Sequence, residues 1–122
     1  MNRSSLVLRT DAQMIWQAGV DAVQGERLVR DQVRVDDEYI AFGNPASHAI
    51  RIDTFDRIIV LGGGKAAAGM AKGLETALAP ITTPGAHATS PNKSLSGWVN
   101  VPDDCVLPTC SIHIHAARPA GR

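Results

Sequence analysis

The sequence predicts an α/β fold built on a parallel sheet, and three observations carry that expectation. Arg57-Ile58-Ile59-Val60-Leu61 is an unbroken β-branched and aliphatic run, the pattern of a strand covered on both faces. Gly62-Gly63-Gly64 follows it at once and breaks it. Beyond Lys65, the residues Ala67, Met70, Ala71, Leu74, Ala77 and Leu78 recur at i, i+3, i+4, i+7, the period of a helix with one apolar face. The unit is strand, glycine turn, helix.

The flanking elements follow from shorter patterns. Thr10 or Asp11 is expected to cap a first helix, because either offers a side-chain oxygen to the free amides of an opening turn. Ile15, Trp16, Gly19, Ala22 and Val23 make one apolar face on it, and Gln24-Gly25 stops it. Leu28, Val29 and Val33 mark an apolar return. Gly43-Asn44-Pro45 is a turn between two short strand candidates, Tyr39 to Phe42 and Ala49 to Ile52. Pro80 is expected to end the central helix. Residues 80–96, rich in Thr, Pro, Gly, Ser and Asn, read as a flexible loop. Gly97 to Val101 resumes as a strand, and Pro102-Asp103-Asp104 turns it. Ser111 to His115 alternates, with Ile112 and Ile114 on one face and His113 and His115 on the other. No internal repeat is visible.

Composition narrows the function classes. A chain of 122 residues makes one small domain, and 44% hydrophobic with 20% charged residues is the profile of a soluble globular protein. Twelve basic side chains balance twelve acidic ones, so no net field draws in nucleic acid or anionic lipid. No segment has the apolar length of a signal core or a membrane span, and a reduced, cytoplasmic setting is expected. Cys105 and Cys110 are too few for a disulfide framework, and their spacing fits no common zinc knuckle. His113 and His115 share a strand face with these cysteines near, but no third ligand stands at a convincing spacing, so no metal is expected. His48 and His87 lie in turn-rich sequence and read as solvated. Trp16 and Trp98 read as core anchors.

The glycine turn has a direct chemical use. Without Cβ atoms it takes positive φ and lets its amides converge on a bound group. The helix behind it begins with unpaired amides and partial positive charge, and Lys65 adds a full charge. Gly62, Gly63, Gly64, Lys65 and Ala66 are therefore the candidate phosphate- or carboxylate-binding residues. The competing reading is a tight turn in which glycine only relieves strain and Lys65 is solvated. A Walker A loop fails, because Ile59 holds its first glycine position and Ala66 follows the lysine. Gly62, Gly64 and Ala67 meet a dinucleotide fingerprint, but Thr82 to Ser90, where the ribose-binding acid belongs, has no carboxylate.

The stretch from Arg57 to Glu75 resembles the signature of glycerate 2-kinases of the MOFRL type: a valine-rich strand, Gly-Ala-Gly-Lys-Ala, Met-Ala and Leu-Glu. Gly63 replaces that motif's alanine. Asp11 to Val23 is similar to the family's opening helix and Gln32 to Ile52 to its variable lead-in. The stretches beginning at Gly97 and at Ser111 resemble its next strand pair. The resemblance implies a Rossmann-like three-layer sheet forming the N-terminal part of a larger domain, here incomplete. It implies phosphoryl transfer from ATP, with Mg²⁺, to the 2-hydroxyl of D-glycerate, in a cleft closed by a second C-terminal domain. Lys65 is the implied catalytic residue. Arg118 stands where the family has histidine before proline, and the chain stops short of the Ser-Gly-Gly-Gly-Ser segment and the second domain. Completion by that missing domain, or by a homo-oligomer, is then expected. Family members are often labelled hydroxypyruvate reductases, which keeps a nucleotide- or NAD(P)-binding oxidoreductase module open. A non-catalytic remnant that needs a partner is the third class.

Overall fold

A computed structural model describes residues 4–85 and 92–121; His87 and the middle of the 80–96 segment lie outside the described residues. The first helix, α1, spans Ser5–Ala22 and starts earlier than its apolar pattern suggests. Ser4 caps it, its Oγ accepting the Val7 N–H at 3.4 Å. The expected cap at Thr10 or Asp11 is therefore corrected: Thr10 lies inside the helix and its hydroxyl donates to the Leu6 carbonyl at 3.0 Å. None of the residues of α1 is buried. Trp16 is 67% exposed and is no core anchor; helical spacing creates an apolar face without dictating what covers it.

Helix α2, Gly25–Gln32, begins where Gln24-Gly25 stops the first. Strands β1 (Val33–Val35), β2 (Tyr39–Phe42) and β3 (His48–Arg51) then form an antiparallel meander in that order. The Asp36 carboxylate shapes the first reversal, accepting the N–H groups of Glu38 and Tyr39 at 2.8 and 2.7 Å. Those two donors hold its pKa below the ordinary aspartate value.

The second sheet is parallel, as expected, and the chain is mixed α/β, consistent with a Rossmann-like fold. Its strands β4 (Arg57–Gly63), β5 (Ser94–Pro102) and β6 (Ile112–Arg118) lie in sequence order, with helix α3 (Ala67–Thr82) crossing between β4 and β5. Strand β4 runs through Gly62 and Gly63, which pair with Val99 and Asn100, so the glycines extend the strand before they turn it. Pro80 does not end α3. Ile81 is buried and the Thr83 N–H reaches the Ala79 carbonyl at 3.0 Å, which carries the last turn past the proline. The 80–96 segment is accordingly shorter than expected, with helix to Thr82 and strand from Ser94.

Two clusters make the core, and α3 contributes to both. Leu78 and Ile81 pack with Val33, Ile40 and Ile52 under the meander. Ala68 and Ala71 pack with Val99, Val101 and Ile112 on one face of the parallel sheet. Helices α2 and α3 meet so closely that a Cβ on Gly73 would collide with the Glu26 carbonyl. Lys93 is buried and donates from Nζ to the Phe55 carbonyl at 2.5 Å, tying the start of β5 to the lead into β4.

The expectation that β4 is covered on both faces is corrected. Ile59 and Leu61 are exposed, Leu61 by 78%, because α3 covers only the opposite face of the sheet. Trp98, on that same open face and 48% exposed, is not a core anchor either.

Candidate functional site

Parallel strands that end together bring their following loops together, and in open α/β sheets ligands bind at those carboxyl ends. Here β4 delivers the glycine turn and Lys65. Strand β5 delivers Asp103, Asp104 and Cys105 in a single 3₁₀ turn, and β6 delivers Arg118. Register fixes this meeting: Gly63 pairs with Asn100 and Asn100 with His115, while Pro102 pairs with Arg118 across a bulge.

The turn itself is pinned at one point. Gly64 has φ +118°, a conformation that a side chain would strain, and its N–H donates to the Asn100 carbonyl at 3.0 Å. Its own carbonyl accepts the Ala67 N–H at 3.2 Å, and the Met70 N–H reaches Ala66 at 3.0 Å. The Gly64 amide is thus engaged within the chain. What the turn offers an anion is the exposed Lys65 and the first turn of α3, which Ala66 precedes as N-cap.

Lys65 and Ala66 line a cavity of about 270 Å³ with Gly25, Glu26, Gly69 and Cys105. Burial pushes the Cys105 thiol above its ordinary range, and its hydrogen bond to Asp104 at 3.5 Å acts the same way. The positive charges of Lys65 and Arg118 oppose that rise without reversing it. A neighbouring hollow of about 210 Å³, between Val60 to Gly63 and Ala67 to Leu74, is apolar and suits no charged group.

The candidates Gly62, Gly63, Gly64, Lys65 and Ala66 therefore sit together at the end of β4. Asp103, Asp104 and Arg118 join them only through the sheet register, and no local motif announces the first two. A second contact had no local signal: the Glu75 carboxylate of α3 accepts the N–H groups of Cys110, Ser111 and Ile112 at 2.7 to 3.1 Å. It fixes the entry into β6 and so the height of Arg118. Among the described residues no group of three or more His, Cys, Asp or Glu is arranged to hold a metal ion. His113 and His115 share the open sheet face, whereas Cys105 is half-buried at the sheet's carboxyl edge and Cys110 lies in the approach to β6. No described helix is long and apolar enough to cross a membrane.

Neither the curated proteins nor the solved structures contain a match to this chain. Residues 11–119 match the family described as a domain of unknown function, DUF4147, which is found as the N-terminal domain of glycerate 2-kinases of the MOFRL family. That match covers α1 from Asp11, both sheets and the whole carboxyl edge, and the chain belongs to the DUF4147 family.

Proposed function

We propose that this chain is the phosphate-handling domain of a glycerate 2-kinase, with Lys65 as its catalytic cation. The observation that carries the reading is the placement of Lys65, just past β4, and Arg118, at the end of β6, on the same carboxyl edge of a parallel sheet, in a chain of this family. Phosphoryl transfer needs little covalent chemistry from a protein; positioning and offsetting of negative charge supply most of the catalysis. Lys65 stands on a turn held by the Gly64–Asn100 hydrogen bond, so its stem is anchored where the charge is wanted.

The residues present fit ATP with Mg²⁺. Lys65 and the start of α3 suit phosphate oxygens, and Asp103 and Asp104 are exposed carboxylates of the kind that hold Mg²⁺ beside a phosphate. When bound, ATP with Mg²⁺ supplies the phosphoryl group and the divalent charge. Lys65 would neutralise oxygens of the transferring group or of the glycerate carboxylate, and Arg118 would reinforce it. A second domain closing over this edge would exclude water from the reacting centre.

The test is glycerate-dependent ADP release from ATP by the purified chain and by its Lys65→Ala variant. Turnover lost on substitution, in a variant whose circular dichroism is unchanged, supports the reading. Turnover that survives substitution, or a folded chain that binds neither ATP nor glycerate, overturns it.

A further inference from the structure

The open face of the parallel sheet carries an aromatic cluster that the phosphate chemistry does not use. Leu61, Trp98 and His113 stand abreast across β4, β5 and β6, and His115 lies one pleat further along. The Trp98 ring lies 4.2 Å from that of His113 and 5.1 Å from that of His115, and the two imidazoles are 6.0 Å apart. The indole is not loose: its Nε1–H donates to Asn100 Oδ1 at 2.8 Å, on the residue whose carbonyl holds Gly64. A single anchored strand segment therefore sets both the ring and the phosphate turn.

We infer that Trp98, His113 and His115 form the stacking platform for the base of the nucleotide whose phosphates Lys65 receives. A half-exposed indole flanked by two imidazoles, the rings tilted 33° to 43° to one another, suits stacking and hydrogen bonding with a planar heteroaromatic ring. The charge agrees. No strand of this sheet carries a carboxylate, and its ionisable side chains are Arg57, His113, His115 and Arg118, which suits an anionic ligand; Asp103 and Asp104 lie beyond the strand end. The placement agrees as well. Leu61, level with Trp98, lies two residues before β4 ends at Gly63, so the platform adjoins the carboxyl edge that carries Lys65.

The inference rests on the kinase reading for its ligand, and the two are separable by dividing the ligand. In a Trp16→Phe background, which leaves Trp98 as the reporting indole, adenosine probes the platform without phosphate and tripolyphosphate probes Lys65 without a base. Saturable quenching of Trp98 by adenosine is expected, unaffected by Lys65→Ala. Trp98→Ala, followed by competition against a fluorescent adenosine analogue, should weaken binding roughly 10- to 100-fold. His113→Ala, which leaves the indole in place, should weaken it by a smaller factor. Tripolyphosphate affinity should fall with Lys65→Ala and hold with Trp98→Ala. Adenosine that leaves Trp98 unquenched while tripolyphosphate still binds overturns the platform and leaves the phosphate site standing. Affinity for oligoadenylate that grows with each added nucleotide overturns the mononucleotide assignment. Trp98 emission already shielded in a self-associated chain, and unmoved by adenosine, overturns it in favour of a second copy on this face.

Discussion

The two faces of the β4–β5–β6 sheet share one backbone and differ in almost everything else. On the face under α3, Val99 and Ile112 are 1% and 2% exposed, and Ala68 and Ala71 let the helix approach closely. On the other face, Leu61 and Trp98 stay largely in solvent beside two histidines. The hydrogen-bonded ladder is common to both, so strand pairing alone does not decide which side chains become core. The helix does, and it covers one face only. The covered face holds the strands at fixed height, and the open face and the carboxyl edge are where a ligand can reach them.

That contrast can be broken by substitution. Ile112→Ala removes a fully covered side chain and should cost about 3 kcal/mol, read as a shift in the urea midpoint. Leu61→Ala, at a residue of similar size on the open face, should stay within about 0.5 kcal/mol. Equal losses at the two positions would mean that something covers the open face as well. Glu75→Ala should cost about 2 kcal/mol, because three backbone donors lose one carboxylate at the entry to β6. It should also weaken phosphate binding by shifting Arg118; an unchanged affinity would show that the height of β6 does not matter to the site. The smallest effect belongs to Asp36, remote from both faces. Its folded pKa is lowered, so its contribution is present above the unfolded value of 3.8 and fades as pH falls through the folded value. The stability difference between wild type and Asp36→Asn should therefore vanish in acid, whereas a difference that persists there would assign the effect to something other than the carboxylate charge.

The central strand, turn and helix were legible because three strong local signals agree: a β-branched run, a glycine break and a helical period. The Ile/His alternation of β6 was legible for the same reason, and the structure buries Ile112 while exposing both histidines. Other features depend on distant partners. Gly62 and Gly63 look like a break until Val99 and Asn100 pair with them. Pro80 looks like a stop until the burial of Ile81 carries the helix onward. Trp16 and Trp98 look like anchors, but aromatic identity does not say which face is covered. At the candidate site, the glycine turn and Lys65 were legible as a local pattern. The placing of Cys105 beside Lys65 and of Glu75 against the entry to β6 was not, because the first depends on parallel register and the second on a contact more than thirty residues apart in sequence.

The central claim is that the carboxyl edge binds polyphosphate through Lys65. Titration of the chain with tripolyphosphate by calorimetry, beside Lys65→Ala and Leu61→Ala, tests it most directly. The account predicts saturable binding that falls at least about tenfold in Lys65→Ala, the loss of a charge-assisted contact, and is unchanged in Leu61→Ala. Equal affinity in wild type and Lys65→Ala, with both folded, would contradict it.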